Sequence, residues 1–160
     1  MLAAPQECFV PSPLHRNLGV LLAAVALYLL AAWLSIGFMR SADDIALIWL
    51  PAGVGLALII LFGYRAALAL LLAVPLMHAL LAPVPWNFLL FSMLANTLGA
   101  VAGAWAYRAL GGSAASRLTV ETGFHILIGA FALAAVSAVL GTLGLTLSGL
   151  SPAHAWPTTA

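Results

Sequence analysis

The sequence predicts an all-α, polytopic transmembrane helix bundle of about five spans. Three observations carry this. Five arginines and four carboxylates are the whole charge complement of 160 residues, and lysine is absent. The chain is 65% hydrophobic, with a mean hydropathy of +1.18, whereas a soluble domain has about a quarter of its residues charged. Each charge (Glu7, Arg16, Arg40, Asp43, Asp44, Arg65, Arg108, Arg117, Glu121) borders a long apolar run. A helix needs about 20 apolar residues to cross a ~30 Å hydrocarbon core. Reading between the breaks places spans at about 17–39, 45–63, 64–82, 87–110 and 124–150. Residues 1–16 form a tail without the short apolar core of a secretory signal, 17–150 the transmembrane domain and 151–160 a stub. With the tail in the cytoplasm, Arg16, Arg65, Arg108 and Arg117 lie inside, and Arg40 lies outside beside Asp43 and Asp44. The positive-inside rule favours that orientation, which puts the C-terminal stub outside.

The first span is alanine-rich, with Tyr28 and Trp33 adding bulk. The second opens on Ile48-Trp49-Leu50-Pro51-Ala52-Gly53-Val54-Gly55. Proline lacks an amide donor and suits a first helical turn, so the regular helix is expected near Pro51 with the preceding residues extended. Trp49 and Pro51 admit two readings. One is an interfacial tryptophan with a helix-start proline; the other is a wall of an outward-facing pocket, since irregular backbone at this depth survives beside protein or a wet cavity. Gly63-Tyr64-Arg65 makes a tight turn, and Arg65 is expected to snorkel to headgroups. The third span carries Pro75 and, near its exit, His78, whose two readings are an intramembrane site and, favoured by its closeness to the exit, an interfacial histidine. Asn87 is the expected cap of the fourth helix.

The fourth and fifth spans hold the clearest pattern. Ser92, Asn96, Gly99 and Gly103 fall on one helical stripe, and Gly99–Gly103 is a GxxxG pair that lets backbones approach closely. Ala130, Ala134, Ser137, Gly141 and Gly144 repeat that spacing. The two helices are therefore expected to pack through small-residue seams. Asn96, far from either end of its span, needs partners, with Ser92, Thr97 and Ser137 the nearby candidates. Interhelical hydrogen bonding and ligand contact are its two readings.

Several functions lack their chemistry. The spans contain no carboxylate, which removes the usual proton relay or cation path. His15, His78, His125 and His154 are scattered, and Cys8 is alone, so neither a metal nor a cofactor is expected. Nothing resembles a catalytic constellation, a phosphate loop or a basic nucleic-acid patch, so the chain is not expected to be an enzyme.

Ile48–Gly55 followed by Phe62-Gly63-Tyr64-Arg65, then Ala95-Asn96-Thr97-Leu98-Gly99-Ala100, then Ser137-Ala138-Val139-Leu140-Gly141-Thr142, resembles the bacterial membrane-associated sensor domain of the first MASE type. The resemblance covers about residues 18–156. It implies an inner-membrane sensory module joined, in that family, to a cytoplasmic kinase, cyclase or phosphodiesterase output. Trp49, Pro51, Gly53, Arg65, Asn96 and Gly141 are the family-typical positions. The family has about eight spans, so this chain corresponds to its five-helix N-terminal portion without an output. The expected function is a truncated or stand-alone signalling module acting through helix packing; the rival is a small membrane subunit of a transporter or other complex. Expected partners are the lipid bilayer, other membrane helices from a second copy or another chain, and a small-molecule ligand, but no nucleic acid.

Overall fold

The computed structural model describes residues 13–38, 48–115, 117 and 119–150, the side chains of 13–17 excepted. Residues 1–12 of the expected tail, the Arg40–Asp44 hairpin, the start of the second span and the stub lie outside the described residues, while 13–16, expected in the tail, already belong to α1. Within them the fold is all-helical: α1 (Pro13–Phe38), α2 (Leu50–Phe62), a 3-10 turn (Tyr64–Ala66), α3 (Ala67–Leu80), α4 (Trp86–Ala109) and α5 (Val120–Leu147). Three stretches, Leu18–Phe38, Trp86–Ala109 and Val120–Leu147, are long and apolar enough to cross a membrane. The helices α2 and α3 have 13 and 14 residues. At ~1.5 Å per residue each reaches only about 20 Å.

Sequence chemistry explains where the helices begin and end. Pro51 sits in the first turn of α2, where its missing N–H costs no intrahelical bond, so regular helix begins where the proline predicts. Trp49 provides no side-chain cap. Instead Ser35, fully buried on α1, accepts from the Leu50 amide at 2.9 Å. α2 ends at Gly63, whose φ of 81° and ψ of 179° belong to a region open essentially to glycine. Asn87 is not the cap of α4. Pro85 holds the extended capping position, Trp86 is the first helical residue, and Asn87 lies inside the first turn, its side chain accepting from the Phe88 amide. α5 starts earlier than the apolar run, because Thr119 accepts from the Thr122 amide and Glu121 complements the positive helix start. Both α4 and α5 end in Schellman motifs around Gly111 and Gly149, the amides of Gly112 and Leu150 returning to Tyr107 and Leu145.

The contacts give the topology. α4 borders α2, α3 and α5, while α1 packs on α2 and α3. α2 and α4 run parallel, since Trp49 meets Asn96, Leu56 meets Gly103, and Ile59 meets Arg108. Gly55 brings α2 close to both neighbours: a Cβ there meets Leu70 Cδ2 at 2.8 Å and Ala100 Cβ at 3.5 Å. The core holds Tyr28, Ile59, Leu70, Val74 and Met77. α5 is peripheral. Its apolar stretch is 11% buried, against 39% for α4.

Candidate functional site

At the end of the bundle where α1 stops and α2 starts, a chain of neutral polar side chains joins four helices. Its centre is the Asn96 amide on α4. Asn96 Oδ1 accepts from Tyr28 Oη of α1 at 3.0 Å and from Trp49 Nε1, just before α2, at 3.2 Å. Asn96 Nδ2 donates to the Ser92 carbonyl at 2.8 Å and reaches Ser92 Oγ at 3.5 Å. Ser92 Oγ lies 2.8 Å from His78 Nε2 on α3, and His78 Nδ1 lies 2.8 Å from the Ala82 carbonyl.

The directions of these bonds follow from chemistry. An indole N–H can only donate and a carbonyl can only accept. The Asn96 oxygen must therefore face Trp49 and its nitrogen Ser92. Likewise Nδ1 of His78 must carry the proton given to Ala82. A neutral ring then leaves Nε2 as acceptor, and the Ser92 hydroxyl donates to it. His78 and Ser92 are buried, at 9% and 8% exposure, and Phe88 stands edge-on to the imidazole at 6.4 Å. The half-buried Asn96 amide, with both ends satisfied, binds helices together without offering a vacant polar atom. The buried Thr97 hydroxyl has no hydrogen-bond partner, so it is not an Asn96 contact.

A second arrangement continues along the same stripe of α4, toward the C-terminal end of that helix. Gly99 and Gly103 face α5 as the GxxxG pair predicts. A Cβ on Gly103 meets the Gly129 carbonyl at 2.6 Å and Leu133 Cβ at 3.0 Å, and one on Gly99 collides with Ser137 Oγ. Ser137 donates to the Ala95 carbonyl at 2.8 Å rather than to Asn96. On α5 the seam consists of Gly129, Leu133, Ser137 and Gly144, the last against Phe91. Ala130 and Ala134 are exposed, and a Cβ on Gly141 meets nothing within 4 Å. At ~100° per residue Ala134 and Gly141 fall roughly a quarter turn from the middle of the real seam. Sequence spacing found the α4 face and, on α5, Ser137 and Gly144, but it placed Ala130, Ala134 and Gly141 in the seam instead of Gly129 and Leu133.

The remaining sequence candidates lie apart. Pro51 is buried at the start of α2, whereas Gly53 is exposed with open space around it. Arg65 is exposed at the opposite end of α2 from Trp49. Close by, Arg108 has an unforeseen role: its Nη2 donates to the carbonyls of Ile59 at 2.7 Å and Ile60 at 3.3 Å, with the guanidinium 4.6 Å from the Tyr64 ring centre. It thereby adds a charged donor to the last turn of α2, where the Ile59 carbonyl also accepts from the Gly63 amide at 3.0 Å. Tyr28 and Arg108, with His78 as a link to Ser92, are the side chains of these arrangements that sequence spacing did not connect. Among the described residues, no three His, Cys, Asp or Glu side chains come together in a way that could hold a metal ion. No protein-family model, curated protein or solved structure matches the chain.

Proposed function

We propose that the chain is an integral membrane sensory module of the kind the MASE resemblance implies, with five spans and a cytoplasmic N-terminus. The observation that carries the reading is the sharing of one Asn96 oxygen between Tyr28 and Trp49. These donors come from α1 and from the irregular approach to α2, so displacement of either segment removes a bond from α4. The same helix presents Gly99 and Gly103 to α5. A stimulus at the network end therefore has a short mechanical route, through α4, to the peripheral α5 packed against it. Two discrete helix packings of this kind can act as a switch whenever a ligand or membrane state favours one of them. For α2 and α3 to complete spans, their flanking turns must lie at headgroup depth or the bilayer must thin around them.

The test measures coupling across α4. Spin labels at Trp33→Cys on α1 and Val139→Cys on α5, both exposed sites, are introduced in a Cys8→Ser background and read by pulsed EPR in nanodiscs. Asn96→Ala is expected to shift or broaden the α1–α5 distance distribution. An unchanged distribution in a correctly inserted N96A variant overturns the reading. The rival function, a subunit docked in a larger complex, is favoured by the exposed outer face of α5, where Phe131 and Val139 are 77% and 68% exposed. Co-purification of a stoichiometric membrane partner that is lost on Phe131→Ser supports that alternative.

A further inference from the structure

At the end of the bundle away from the Asn96 network, a groove of about 600 Å³ runs between the first turns of α1 and the 3-10 turn leading into α3. Its volume is that of a small-molecule site. Small buried side chains, Ala24 and Ala69 among them, open the groove, and Leu21, Leu68 and Phe62 wall it. Among the described residues its one charged lining side chain is Arg65. Two arginines approach this end of α2 and are used differently. Arg108 is engaged by the Ile59 and Ile60 carbonyls. Arg65 forms no hydrogen bond or ion pair with any described residue.

We propose that the groove seats one acyl chain of an anionic phospholipid whose phosphate rests on the Arg65 guanidinium. Apolar walls match a hydrocarbon chain, and an unengaged guanidinium beside them matches the planar, bidentate geometry of phosphate recognition. In the orientation proposed above, this end faces the cytoplasmic leaflet, where anionic lipids attract arginines near the surface. The site rests on the membrane reading but not on signalling.

Native mass spectrometry of the detergent-purified full chain tests it, using phosphatidylglycerol and phosphatidylcholine with identical acyl chains. Wild type is expected to retain phosphatidylglycerol preferentially. Arg65→Gln should lower that preference about five-fold, the factor of one arginine near an anionic surface, whereas Arg117→Gln, at an exposed site outside the groove, leaves it unchanged. Leu68→Trp fills the groove and should reduce retention of both lipids. Soluble glycerol phosphate is expected not to displace the lipid; displacement assigns the site to free phosphate and overturns the proposal. So does equal loss of preference in the Arg65 and Arg117 variants, or full preference in R65Q. The arginine comparison decides the matter even where L68W fails to fold. Lipid retention needs no signalling output, so its failure and failure of the Asn96 coupling test are separate results.

Discussion

Trp49 and Asn96 stand 47 residues apart in sequence and 3.2 Å apart in the fold, joined by an indole N–H that donates to the amide oxygen. Tyr28 donates to the same oxygen from a third segment. One acceptor thus fixes the irregular entry to α2 and the middle of α1 against α4. The arrangement requires an oxygen with two lone pairs on an uncharged side chain, which asparagine supplies.

Asn96→Ala should destabilise the fold by about 1–2 kcal/mol. A stranded buried donor costs ~1–3 kcal/mol in water-soluble proteins, but measured interhelical bonds within membranes average only ~0.6. Two donors are stranded here, so the lower end of the summed range applies. Tyr28→Phe removes one donor and leaves Trp49 on the oxygen, and should cost roughly half as much. Unfolding midpoints in mixed micelles, arranged as a double-mutant cycle, read the coupling between the two side chains. Full additivity would show that the shared acceptor does not couple them.

The glycines separate into two groups. Gly103→Ala should destabilise by about 1–3 kcal/mol, because its Cβ falls 2.6 Å from the Gly129 carbonyl and backbone must move apart. Gly141→Ala and Gly53→Ala meet nothing within 4 Å, and should stabilise by up to ~1 kcal/mol through the helix preference of alanine. The same unfolding assay distinguishes the signs. Destabilisation by G141A would restore the seam that spacing suggested.

Gly63→Ala separates conformation from space. No atom lies within 4 Å of a Cβ there, yet φ is 81°. The expected cost is about 1–3 kcal/mol, entirely from backbone strain. A neutral result would mean that α2 can end in another conformation.

Much of the fold was legible because charge and proline punctuate an otherwise apolar chain. Pro51 placed the start of α2, and the Gly99–Gly103 pair placed the close face of α4. The α5 seam was legible only at Ser137 and Gly144, for a physical reason: lipid-facing and helix-facing positions are both apolar, so periodicity carries little contrast. In α5, small residues at 130, 134 and 141 mimic the true set of 129, 137 and 144. The network was hidden differently. Asn96 announced a need for partners, but its donors lie 68 and 47 residues away, and Trp49 reads as an interfacial anchor. Arg108 likewise reads as an orientation marker until the fold places it on the α2 carbonyls.

Arg108 should matter more to stability than Arg65. Arg108→Gln loses the charge on two helix-end carbonyls and the contact with Tyr64, for an expected loss of about 1–3 kcal/mol. Arg65→Gln, without a described partner, should shift the lipid-free midpoint by less than about 0.5 kcal/mol. Equal midpoints for the two variants would refute the capping role.

His78 provides the sharpest check on the direction of the hydrogen-bond chain. The Ala82 carbonyl can only accept, so Nδ1 holds the proton, and Nε2 of the neutral ring takes the Ser92 hydroxyl proton. In free neutral histidine the opposite tautomer, protonated at Nε2, predominates, so the fold must impose this one. ¹⁵N NMR of histidine-labelled protein in lipid, with His78→Gln assigning the resonance, is expected to show an Nδ1–H, Nε2-bare ring for His78. Ser92→Ala removes the donor to Nε2 but leaves the Ala82 carbonyl in place. It should move the Nε2 shift toward that of an unbonded ring nitrogen while the Nδ1 proton stays. If Nε2 instead carries the proton in wild type, Ser92 becomes the acceptor. Its hydroxyl proton must then point elsewhere, and, with Nδ1 still donating to Ala82, the ring is an imidazolium that donates at both nitrogens.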